Sequence, residues 1–384
     1  MNENPKEKKR GKRSLVKLLI LLIALVVLAY IAVTLISSEP LQFFRIFGCS
    51  TDSETGKMAD EYFFDVGRDR VFASLDDGSI VAAGTLGLQV LDAQGGETLR
   101  DPFRMTTPAI SAAHGRAVAF DIGGTAVRVF GKTGVIASIE TSGIIISASI
   151  NRNGWFPICT QEGSLSRGVV AVYNSSGSLV YRVTMGTGYV LSAVLSQDNK
   201  SVAILNLTDF GSRITFYDLD STDVVREFIL PGKLVYDLRY LDNGDVLAIS
   251  EDSLFVVEDS NDSKELYGFG SRRLGGYTID GGLIAIHLLD FGVGHNGRIT
   301  AIGEDGALLG EIETDREIIS MSAGDGILAV LQNEGVFFFD TQMERLPSGG
   351  GQSLAAGATT VLALGGDAAL AAGDHSAIVF RTES

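Results

Sequence analysis

From residue 69 onward the sequence repeats itself about every forty residues, and that period restricts the fold more than any other feature. A short apolar run followed by a turn recurs as LQVLDAQGG (88–96), VRVFGKTGV (127–135), VAVYNSSGS (170–178), ITFYDLDST (214–222), LFVVEDSND (254–262), ITAIGEDGA (299–307) and VFFFDTQME (336–344), with a last copy, AIVFRTES (377–384), that has no turn. Between the turn residues Gly95, Gly134, Gly177, Ser221, Asp262, Gly306 and Gln342 the steps are 39, 43, 44, 41, 44 and 36 residues. Before each such run stands another apolar pair around a polar turn, as in AVLSQDNKSVAIL and LRYLDNGDVLAIS. The 46 glycines and only 7 prolines suit a chain of many tight turns.

One unit therefore reads as strand A, tight turn, strand B, connection, strand C, Asp/Gly turn, strand D. Four antiparallel strands in about forty residues is the period of a β-propeller blade. A blade has two apolar faces and covers neither alone, whereas a ring of blades covers both. Eight copies of A–B–C fit between residues 69 and 384, with seven blades as the alternative count. The eighth has no room for its own strand D after Arg381. An unassigned apolar stretch, Glu61 to Val66, stands upstream of the first copy and is expected to supply that strand and close the ring. A pair of β-sandwiches explains the all-β pattern but not the constant step.

Ahead of the repeats lies a different kind of sequence. Leu18 to Ile36 is nineteen residues without a charge, roughly 28 Å of helix, about the thickness of a bilayer core. Lys6, Lys8, Lys9, Arg10, Lys12, Arg13 and Lys17 precede it, and the next basic residue is Arg45. This asymmetry predicts a single-pass anchor at the cell membrane with the N-terminus cytoplasmic and the rest of the chain extracellular. A cleaved signal peptide would need a shorter apolar run and a small-residue cleavage site, and Ile36-Ser37-Ser38 is a poor one. The expected organisation is a basic tail (1–17), a transmembrane helix (18–36), a juxtamembrane tether (37–59) and an extracytoplasmic propeller (60–384).

The formal net charge is −16, but it is unevenly spread. Without the seven basic and two acidic residues of 1–17, the chain keeps 24 Lys/Arg and 45 Asp/Glu, a net −21. So acidic a body repels phosphate backbones, which argues against nucleic acid as a partner.

With an anchor followed by repeats such as VAVYNSSGSLVYRV and ITFYDLDSTDVVREF, the chain resembles quinoprotein-like and WD40-like propellers. More closely it resembles membrane-anchored propellers of Gram-positive bacteria that form a family of unknown function. The resemblance covers the whole chain and implies the fold. Quinone-binding propellers resemble one another in Trp-bearing docking motifs and acidic metal ligands, and this chain has one Trp, Trp155. The resemblance therefore implies no cofactor.

No catalytic constellation is legible. His114, His287, His295 and His375 are scattered without metal-ligand spacing. Asp209-Phe210-Gly211 and Asp290-Phe291-Gly292 spell the same tripeptide but read as turns, and Asp218-x-Asp220-x-x-Asp223 reads as a polar C–D turn. Whether Cys49 pairs with Cys159 is left open. One pattern stands out. Three B–C connections are long, CTQEGSLSRG (159–168), LTDFGSR (207–213) and LLDFGVGHNGR (288–298), and each ends in an Arg entering strand C. The candidate ligand-binding residues are thus Arg167, Arg213 and Arg298, with Asp209, Asp290 and His295 beside them. Arg suits carboxylates. The alternative is longer hairpins whose Arg pairs locally with Asp209 or Asp290. The expected function is a membrane-anchored module that binds or scaffolds a protein, peptide or cell-envelope ligand. An assembly partner of a membrane complex is the alternative, and a hydrolase or lyase using carboxylates in the ring channel comes after it.

Overall fold

Eight four-stranded antiparallel sheets follow one another in the computed structural model, and seven are simple meanders in chain order. It describes residues 61–163, 167–221, 223–258, 262–292, 296–348 and 357–382. The expected tail, membrane helix and tether, Cys49 and His295 lie outside the described residues. Blade 1 comprises strands A Val71–Ser74, B Ile80–Gly84, C Gly87–Leu91 and D Glu97–Asp101. The remaining blades are named likewise in chain order.

The eighth sheet departs from the meander as the repeat count requires. Its strands A Thr360–Gly365, B Ala368–Ala372 and C Ser376–Arg381 are followed on the outside by Glu61–Phe63. Tyr62 lies opposite Ala377 in that pairing. The paired stretch is shorter than the expected 61–66, yet inside–outside alternation continues to Val66, with Tyr62, Phe64 and Val66 buried and the residues between them more open. The paired strand ends at Phe63, although Phe64 N–H still donates to the His375 carbonyl at 3.1 Å.

Burial explains the sequence pattern strand by strand. Strands B and C are covered on both faces by neighbouring blades, so they read as continuous apolar runs, like Ile80–Gly84, which is buried throughout. Strand D has one open edge and alternates, as in Leu179–Thr184 of blade 3. The apolar interior falls into eight clusters, each formed by two successive blades. The cluster between blades 8 and 1 contains Tyr62, Phe64 and Val66 together with Phe72, Leu370 and Val379.

Strand A lines the axis and leaves one edge without a strand partner, so its backbone groups need partners elsewhere. Hydroxyl side chains one repeat away supply many of them. Ser147 Oγ and Ser149 Oγ donate to the Leu191 and Ala193 carbonyls, both at 2.9 Å. Ile150 N–H donates to Ser111 Oγ at 3.2 Å, and Ala323 N–H to Thr278 Oγ1 at 2.9 Å. Val361 and Ala363 N–H donate to Ser320 and Ser322 at 3.2 and 2.9 Å. These bonds cross-link blades 2–3, 3–4, 6–7 and 7–8, each contributing about 0.5–1.5 kcal/mol.

The C–D turns owe their recurrence to a side chain that imitates the backbone. Asn174 Oδ1 accepts the N–H groups of Ser176 and Ser178, and Asp340 Oδ1 those of Gln342 and Glu344. In blade 7 the left-handed residue is Met343 (φ 64), one place after Gln342.

Ring closure through alternate residues of 61–66 makes a sharp expectation. Phe64→Ala should lower the unfolding free energy by about 3–5 kcal/mol, whereas Phe63→Ala, at a side chain 48% exposed, should cost less than about 1 kcal/mol. Urea titrations of the two variants measure the difference, and equal losses would refute closure by this register.

Candidate binding surfaces at the two ends of the ring

An antiparallel meander gathers A–B and C–D turns at one end of the ring and B–C turns with D–A connections at the other. The first end opens into a funnel of about 790 Å³ to which all eight blades contribute. Its charged groups include Asp76, Arg152, Arg239, Asp242, Asp280, Glu304 and Asp325. Arg152 pairs with Asp242 at 2.9 Å. Asp280 Oδ2 accepts the Asp325 N–H at 3.2 Å. Lost hydration raises the Asp280 carboxyl pKa, and the Asp325 and Asp242 charges add to the rise. Burial, then Asp242, raises Glu304 in the same way. Among the described residues no three His, Cys, Asp or Glu side chains converge as metal ligands.

The second end carries the long connections, and they differ from the sequence expectation in one respect. In blade 4, strand B is Ser201–Thr208 and strand C is Gly211–Asp218, so the connection expected over 207–213 shrinks to Asp209-Phe210. The strands are long and the turn is short, because Thr208 still pairs with Gly211. A Cβ on Gly211 (φ +127) would lie 2.4 Å from the Leu230 carbonyl oxygen, so the residue after Phe210 must be glycine. In blade 6 the connection runs from Leu289 to Gly297. Phe210 and Phe291, at the two tips, are 77% and 74% exposed.

The three arginines lie at this end, and each is engaged. Arg167 stacks 4.6 Å above the Tyr189 ring and donates to its hydroxyl. Arg213 Nη2 donates to the Thr187 carbonyl and hydroxyl at 2.7 and 2.9 Å, and its Nη1 stands 3.6 Å from Glu227. Arg167 and Arg213 thus clasp the same connection between blades 3 and 4. Arg298 stands apart, held by Glu313 at 2.8 Å and Glu311 at 2.6 Å. Asp290 bonds Arg272 at 2.7 Å rather than Arg298. Asp209 is exposed at the blade 4 tip. Glu311 and Glu313 alternate along strand D, but only the C–D register in the structure sets Glu313 opposite Arg298. The exposed phenylalanines were present in the sequence only as turn tripeptides.

Cys159 is buried in strand B of blade 3 with no disulfide partner among the described residues, and burial pushes its pKa up to about 12. His287, in strand B of blade 6, is buried with Nε2 unpartnered among the described residues. Burial and nearby Arg273 lower its pKa to about 4, so it is neutral at physiological pH.

The raised Asp280 carboxyl has a stability signature with a definite sign. A folded-state pKa above the unfolded one penalises the ionised native form, so its contribution is most favourable at low pH and is lost as pH rises through the folded value. Asp280→Asn should therefore be slightly more stable than the parent at pH 7. The two should converge below about pH 4, the ordinary range of aspartate. Urea midpoints measured across that pH range check the sign.

The ring has solved counterparts. It is similar to the C-terminal WD40 domain of Sif2, with a TM-score of 0.59 at 14% identity over 84% of this chain and 99% of that one. It is also similar to BamB from Moraxella catarrhalis, with a TM-score of 0.53 at 16% identity over 84% and 96% of the two chains. At such identities the likeness concerns the fold alone. No curated protein matches the sequence. Residues 61–268, from the closing strand to the last residue of blade 5, match the description "Family of unknown function (DUF5711)". That match spans more than half of the sequence, and the chain is a member of the DUF5711 family.

Proposed function

We propose that this protein is a membrane-anchored, extracytoplasmic scaffold whose propeller docks another protein on the end that carries the B–C connections. The observation that carries the reading is the pair of exposed phenylalanines. Phe210 and Phe291 project from blades 4 and 6, and the turn of blade 5 between them, Glu251-Asp252, is short. Tyr236 and Leu234 of blade 5 add further exposed apolar surface at that end. Aromatic side chains held on a rigid ring are suited to becoming buried anchors in a protein interface. Their exposure favours assembly with a protein over capture of a charged polymer, since Arg213 and Arg298 already face glutamates. The anchor rests on the apolar run 18–36 and the lysines and arginines before it.

Photo-crosslinkers placed at positions 210 and 291 in intact cells should give the same protein adduct, whereas one at His114, on the funnel end, should give none. Adducts from His114 alone would move the docking surface to the funnel. Protease added to wall-stripped cells should remove a tag at Ser384 and spare one at Met1. The reverse pattern would overturn the topology.

A further inference from the structure

We draw no further inference here: the strongest candidate, the exposed aliphatic pairs Val135-Ile136, Leu179-Val180 and Val224-Val225 near the start of strand D in blades 2, 3 and 4, is an apolar surface patch on the outermost strands of the ring, and nothing in the structure shows what covers it.

Discussion

A four-stranded blade with two apolar faces cannot be stable by itself, and everything else in this protein follows from how each face is covered. The eight apolar clusters are interfaces between neighbours, and none belongs to a single blade. Stability is therefore a property of closed nearest-neighbour contacts, as in other repeat architectures. The contact between blades 8 and 1 is the one that joins the two ends of the ring. It is built by Tyr62, Phe64 and Val66, residues three hundred positions from the strand they cover.

Around the axis a second constraint acts. The inner strands are edge strands, and a bare edge would leave backbone groups without partners. Ser and Thr residues on strand A resolve this by bonding to the inner strand of the adjacent blade. Because the bonding partners lie one repeat apart, 39 to 45 residues along the chain, the hydroxyls act as spacers that hold successive blades in register. The same geometry makes the channel mouth polar. Asp280 and Asp325 are the first residues past these ladders, and their crowding in the funnel raises the carboxyl pKa of Asp280.

Against this uniform scheme the exceptions carry the functional content. Phe210 and Phe291 are large apolar side chains where the scheme asks for none, at tips that reach no neighbouring face.

The sequence by itself determined the repeat, the strand order and the closing role of the stretch Glu61–Val66, with eight blades ahead of seven, because local turn chemistry and apolar runs are read within a few residues; the tertiary structure fixed the count at eight and the closing strand at Glu61–Phe63. The sequence also located the three arginines at the start of strand C. It did not reveal their partners. Arg213 meets Thr187 and Glu227, while Asp290 goes to Arg272 rather than Arg298, since those choices depend on the inter-blade approach and on strand D register. The funnel was invisible for a related reason: its carboxylates come from turns about forty residues apart, each ordinary in its own hairpin. Only the tertiary structure decided which of them meet, because the ring converts a sequence period into spatial adjacency.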